Sequence, residues 1–206
     1  AREYPTSLLG AIAFIRQGLY DARWYHKAQA ILAKHPEGNE QIQIDKSLNS
    51  LSKSINNNHP FMFRTNNELY INRASNIAQE FDLNLWIKGN GYEYRRINDL
   101  PKVFMVIPVD FPAKPKVSNP YNALEYSTKQ LKHWDMAPDN LSKLAESGFE
   151  FALTTNGLKR KKDLKKNISK AVQRGLSKSD ALASLTTIPA KAFGESKRLG
   201  KIAPGY

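Results

Sequence analysis

The stretch Phe149-Glu-Phe-Ala-Leu-Thr-Thr-Asn156-Gly157 decides the fold. It is a run of aromatic, aliphatic and β-branched residues, too short for a buried helix and closed by an Asn-Gly turn signal, so it reads as a buried strand. A basic segment follows, in which Leu164, Ile168, Val172 and Leu176 recur at every fourth position. That spacing draws one apolar stripe along a helix, and the stripe needs a surface to pack on. A strand followed by a packing helix is one βα unit.

Working outward, the same grammar repeats. Val103-Phe-Met-Val-Ile107, Leu85-Trp-Ile87 and Phe61-Met-Phe63 are three further short apolar strands. Between the first two in chain order, Asn66 or Asn67 caps a helix whose apolar face is Ala74, Ile77, Ala78 and Phe81. Lys88-Gly-Asn-Gly91 stops the next strand, and a short helix is expected from about Tyr92. The segment from Pro108 to Pro138 is long and punctuated by proline, with a helix expected near Leu124 to His133. Asp139 to Ser147 reads as helical, ended by Gly148. Ahead of the strands, Leu8, Ile12, Ile15 and Leu19 predict a helix to about Tyr25, and Ile44, Leu48, Leu51 and Ile55 a second one, ended by Asn56-Asn-Asn58. His35-Pro-Glu-Gly-Asn39 between them is a loop. After the last strand, Ser177-x-x-Asp180 opens a helix over Ala181 to Leu185, and Thr187-Ile-Pro189 starts another, closed by Gly194.

Near-continuous apolar strands alternating with helices are the mark of a parallel sheet covered by helices, an α/β fold. Four units make half of a (β/α)8 barrel or a small doubly wound sheet, and periodicity does not separate the two. A complete eight-stranded barrel takes about 250 residues, and the chain has 206. The expected layout is one domain: a helical lead-in over 1–58, four βα units over 59–160, and C-terminal helices over 161–206. No apolar run is long enough to cross a membrane, and the N-terminus lacks the layout of a signal peptide. With no cysteine there is neither a disulfide nor a thiolate ligand. The net charge is +12, and between Lys159 and Lys178 nine Lys/Arg face the single acid Asp163. Such a face is either simply solvated or attracts a polyanion; the aromatic-studded strand motif of RNA readers is missing, so nucleic acid is not the expected partner.

The residues Arg174-Gly-Leu-Ser-x-x-x-Ala181-Leu-x-x-Leu-Thr-Thr-Ile-Pro-Ala-Lys191, then Arg198-Leu-Gly-Lys-Ile-x-Pro204-Gly205, resemble the C-terminal signature of metal-dependent amidohydrolases, in particular the imidazolonepropionase-like and prolidase-like group. The stretch Tyr4-Pro-Thr-Ser-Leu-Leu-Gly-Ala, with Arg16-Gln, Tyr20-Asp-Ala and Trp24-Tyr25 beyond it, is similar to a divergent branch found beside a second such domain in large exported bacterial proteins. The resemblance implies a partial TIM-like barrel, its four strands corresponding to barrel strands five to eight, with a β-sandwich resuming after Tyr206. It implies a periplasmic or exported location, and hydrolysis of carbon–nitrogen bonds other than peptide bonds with zinc or another divalent metal in active relatives. The first barrel strand, with its paired histidine ligands, is not among these residues.

Position by position, the resemblance sets the metal chemistry aside for this chain. The strand-five histidine position falls on Arg64, whose guanidinium has no lone pair and would repel a cation by about 4 kcal/mol per unit charge at 4 Å and an effective dielectric near 20. The strand-six histidine position falls on Gly89, and the strand-eight aspartate position on Asn156, an amide that takes no proton as a base. None of His26, His35, His59 and His133 ends a strand, and His133 in the long connection is expected at the surface. Glu68 and Glu93 follow strand ends, either as acids or as charges at helix N-termini. No catalytic residue, metal ligand or cofactor is therefore expected in this chain. What remains at the mouth is Arg64, Asn66, Asn67, Lys88, Asn90 and Asn156, of which Arg64, Asn66, Lys88 and Asn156 are the expected binding residues, suited to a carboxylate-bearing small molecule or to filling the space of a metal. The expected function is a catalytically degenerate amidohydrolase-like domain; the alternatives are an active hydrolase completed by another segment and a basic polyanion-binding module. Open strand edges further imply contact with the rest of a barrel or self-association.

Overall fold

The computed structural model describes residues 5–38 and 41–204, so Tyr4, Asn39, Gly205 and Tyr206 of the segments above lie outside the described residues. The described residues fall into two compact units, one within Ala1–Phe61 and Asn76–Asn84, the other within Met62–Ser75 and Leu85–Tyr206.

In the first unit, Ser7 caps helix α1 (Leu8–Lys34) by accepting from the Gly10 amide at 3.0 Å. The helix runs nine residues past the expected end at Tyr25, because His26 to Lys34 holds neither glycine nor proline and is rich in Ala, Leu, Lys and Gln. Its buried residues are Leu19, Ala22 and Tyr25, so the packing face is rotated from the one that Leu8 and Ile15 suggested. Asp45 caps α2 (Lys46–Asn56), accepting from Ser47 and Leu48 amides, and the Tyr25 hydroxyl accepts from the Asp45 amide at 3.2 Å. Helix α3 (Glu68–Glu80) ends in this unit, where Glu80 accepts from Arg16 at 2.6 Å and from the Tyr20 hydroxyl at 2.8 Å. At its other end the Asn67 side chain accepts from Leu69 and Tyr70 amides, so of the two proposed caps Asn67 is the one used.

The second unit is built on a sheet of β1 (Phe61–Arg64), β2 (Leu85–Lys88), β3 (Phe104–Pro108) and β4 (Phe151–Thr154), in that spatial order. β2, β3 and β4 are parallel, with Trp86 opposite Phe104 and Met105 opposite Phe151. Strand order that follows chain order without reversal is the winding of a barrel; a doubly wound sheet reverses at a switch point. The fold is thus α/β with a partial TIM-barrel-like sheet. One face is fully buried through Met105, Ile107 and Val109, each 0% exposed. The other carries Trp86 and Phe104, ring centroids 4.6 Å apart, with Phe193 edge-on to Trp86 at 5.3 Å.

The connections differ from expectation where local caps decide. Instead of one helix from Leu124 to His133 there are α4 (Pro120–Ala123) and α5 (Thr128–Met136). Ser127 and Gln130 form a reciprocal capping box that starts a new helix there. Two 3-10 turns, Glu93–Arg95 and Ile97–Asp99, stand where a short helix was expected. The remaining helices are α6 (Asn140–Glu146), α7 (Asp163–Gln173), α8 (Lys178–Ala183) and α9 (Thr187–Ala192). Ser177 does cap α8, which begins directly behind it rather than at Ala181.

Truncating the buried sheet face should be costly. Ile107→Ala is expected to lower the unfolding free energy by about 3 kcal/mol in urea titrations followed by circular dichroism, against less than about 0.5 kcal/mol for the exposed Met62→Ala.

Candidate functional site

All four strands end at the same edge of the sheet, and the loops leaving it hold the polar groups. At the end of β1, Arg64 and Asn66 are exposed. The Thr65 amide and hydroxyl both donate to the Lys88 carbonyl at 3.1 Å, which sets the β1 and β2 ends side by side. Lys88 is half-buried, and Asn156, two residues beyond β4, is exposed, its amide donating to Thr154 Oγ1. Lys88 is level with Val106 and, across β3, with Ala152, so Asn156 lies four residues further along the chain, past the end of β4. Arg64, Asn66, Lys88 and Asn156 therefore share one edge, with no hydrogen bond joining them among the described residues.

The end of β2 is organised by Glu93. Its carboxylate is fully buried, at 0% exposure. Oε1 accepts from the Asn90 amide at 2.7 Å, Oε2 from the Gly91 amide at 3.1 Å and from Asn140 Nδ2 at 2.7 Å. Asn140 Oδ1 in turn accepts from the Tyr94 amide at 2.7 Å. Glu93 is not a solvent-facing acid; it sits at the N-terminal position of the Glu93–Arg95 turn, as a helix-end charge would, and there closes the loop. This also explains Gly89: a β-carbon there would overlap Glu93 Oε1 and lie 2.7 Å from Ile107 Cδ1. Glu68, in the first turn of α3, faces Arg95 at 3.8 Å. Two buried polar atoms at this edge, Glu68 Oε2 and Asn90 Nδ2, have no hydrogen-bond partner.

Tyr92 and His133 stack with centroids 3.7 Å apart at 16°, while the Arg95 guanidinium lies 4.2 Å from the Tyr92 ring. The Tyr94 hydroxyl shares a hydrogen bond with His133 Nδ1 at 3.2 Å. Burial, with Arg95 adding repulsion, pulls the His133 pKa down to about 4, so the imidazole is neutral at pH 7. The surface position expected for this histidine is corrected: α5 turns it inward onto the loop that follows β2.

The sequence reading passed over Asp110, two residues beyond β3. Val109 is held by its amide donating to the Thr154 carbonyl and its carbonyl accepting from Asn167 Nδ2 at 2.6 Å, which fixes where Asp110 leaves the sheet. The carboxyl leans over Gly157, where a β-carbon would come 2.8 Å from Asp110 Oδ2; Gly157 has φ +91°, which glycine adopts without strain. Burial pushes the Asp110 carboxyl above the usual aspartate range, against the pull of Lys159. Asp110, Phe111, Tyr126, Lys129, His133 and Trp134 help to enclose a cavity of about 460 Å³. The signal available in the sequence was an acid placed directly after an apolar strand; reading the strand as ending at Ile107 hid it.

A divalent metal would need imidazoles or carboxylates converging at this edge. The edge offers a guanidinium, an ammonium, amides, a glycine position already filled by Glu93, and two separate carboxyls, Asp110 after β3 and Glu68 engaged by Arg95. Among the described residues no three His, Cys, Asp or Glu side chains gather into a group able to hold a metal ion. The residues present do not fit the group.

No protein-family model and no curated protein sequence matches the chain. Among solved structures, an amidohydrolase from Thermotoga maritima MSB8 matches 98% of this chain and 49% of its own, at TM-score 0.74 and 24% identity. A second amidohydrolase structure matches 79% of this chain and 40% of its own, at TM-score 0.49 and 16% identity. The first likeness gives the fold: the chain has the fold of part of an amidohydrolase barrel and spans about half the length of that protein.

Two measurements check this geometry. Gly89→Ala is expected to cost about 2 kcal/mol of stability in urea titration, because neither Glu93 nor Ile107 has room to yield. His133 takes up a proton less readily folded (about 4) than unfolded (6.5), so stability falls as pH drops from 6.5 toward about 4. His133→Phe should flatten that part of the difference between urea midpoints at pH 7 and pH 4.5.

Proposed function

We propose that the chain is an amidohydrolase-like domain, related to hydrolases of carbon–nitrogen bonds other than peptide bonds, whose own strand ends bind a ligand rather than assemble a hydrolytic metal centre. The relationship is supported by the fold likeness together with the C-terminal residues Arg174 to Lys191. The observation that carries the loss of the metal centre is the filled space at Gly89. A ligand side chain has no volume there while Glu93 stays hydrogen-bonded to Asn90, Gly91 and Asn140. Arg64 and Asn156, at the other two positions the resemblance assigns to the metal site, lack a lone pair and a titratable proton acceptor respectively. Arg64 and Lys88, on neighbouring strand ends, suit a carboxylate-bearing small molecule, with Asn66 and Asn156 as amide partners.

A second reading keeps hydrolysis. Asp110 puts a carboxyl with a raised pKa beside the end of β4, within reach of proton transfer work, and the metal ligands would come from residues outside this chain. Partners are proposed on the same footing: the rest of a barrel, or a second copy, completing the sheet.

Elemental analysis of the purified chain for zinc, manganese and iron, paired with amide hydrolysis assays with and without chelator, separates the readings. The degenerate reading expects less than about one metal ion per ten chains and no chelator-sensitive turnover. Stoichiometric metal with chelator-sensitive hydrolysis overturns it. Calorimetric titration with acetate and succinate, comparing Arg64→Ala, tests the carboxylate site; absence of heat from both proteins ends that part.

A further inference from the structure

The cavity beyond β3 lies in the second unit and uses none of Arg64, Asn66, Lys88 and Asn156; it shares only Asp110 with the hydrolytic reading. Part of its wall is aromatic: Tyr92, Phe111, Tyr126, His133 and Trp134. Tyr126 is fixed by its hydroxyl, which accepts from the Lys116 amide at 3.2 Å. His133 is fixed by the Tyr92 stack and the Tyr94 hydroxyl, which leaves Nε2 as its uncommitted nitrogen. Two rings held in place, Tyr126 and His133, favour a planar apolar group, since they lose little rotamer freedom on binding.

Two charges of opposite sign reach the same cavity. Asp110 comes from the end of β3, Lys129 from the first turn of α5. Neither makes an ion pair, with the other or with any other described residue. The backbone around Asp110 is pinned by Thr154 and Asn167, and the Gly157 turn leaves room for its carboxyl. Asp110 and Lys129 are both exposed at the rim of this cavity and are not paired with each other, so together they complement a molecule carrying both signs, with Lys159 as a further cation acting on Asp110. Because His133 stays neutral above about pH 4, it adds no second positive charge beside Lys129.

We propose that this cavity binds a small zwitterion with a planar ring, an aromatic α-amino acid, its ammonium at Asp110, its carboxylate at Lys129 and its ring among Tyr126, His133 and Trp134. Its volume of about 460 Å³ lies within the usual range of small-molecule sites. The proposed binding needs no metal, although it shares Asp110 with the hydrolytic reading.

The test follows the Trp134 indole N–H by NMR, assigned with Trp134→Phe, during titration with L-phenylalanine, phenylacetate and phenethylamine. L-Phenylalanine is expected to shift that signal saturably at millimolar concentration, with each truncated analogue weaker by about tenfold or more. Lys129→Ala should bring L-phenylalanine down to the level of phenethylamine, and Asp110→Asn down to that of phenylacetate. No saturable shift with L-phenylalanine overturns the proposal. So does equal binding of either analogue, or binding unchanged in both variants. Because the readout needs neither metal nor turnover, its failure is distinct from failure of the degenerate reading.

Discussion

The mouth of this sheet depends on one buried carboxylate. Glu93 collects donors from Asn90, Gly91 and Asn140, and Asn140 passes the constraint on to the Tyr94 backbone. A carboxylate without water is tolerated only when donors surround its oxygens, and here the donors are largely main-chain amides that a tight loop aims inward. Everything downstream inherits that geometry. Tyr92 and Tyr94 flank Glu93 in sequence, so fixing Glu93 fixes the two rings that receive His133, and through His133 the helix α5.

This arrangement separates two populations of polar groups at one sheet edge. Glu93, Asn140 and Thr65 are buried and spend their hydrogen bonds on the protein itself. Arg64, Asn66, Asn156 and Asp110 remain exposed and are available to solutes. The division is physical rather than a matter of residue type, since an amide or a carboxylate appears in both groups. Burial and partner count, not chemical identity, decide which of them can meet a ligand.

The strands and most helices were legible because their signals are local. Apolar runs such as Val103 to Ile107, caps such as Asn67 and Asp45, and the stripe Leu164 to Leu176 act within a turn or two of the chain. The split between α4 and α5 is also local, in the Ser127 and Gln130 capping box, but it lies inside a proline-punctuated segment whose apolar spacing is too weak to mark two helices. Site residues were harder for a different reason. Glu93 bonds Asn140 across 47 positions and His133 meets Tyr94 across 39, and no spacing rule reports contacts of that range. Arg64, Asn66, Lys88 and Asn156 all follow strand ends, but how far apart they stand depends on sheet order and register, which no local signal carries.

Gly89 carries a historical consequence. An imidazole cannot be installed at the end of β2 in one step, because its volume is held by a side chain that three donors keep in place. Removing the carboxylate first leaves Asn90, Gly91 and Asn140 with buried, unsatisfied donors; inserting the ring first forces a collision. Either order passes through a destabilised intermediate, so the two substitutions are strongly epistatic. Positions 89 and 93 therefore behave as one unit: a bulky side chain at 89 is compatible with this sheet only if the whole Glu93 loop is rebuilt with it.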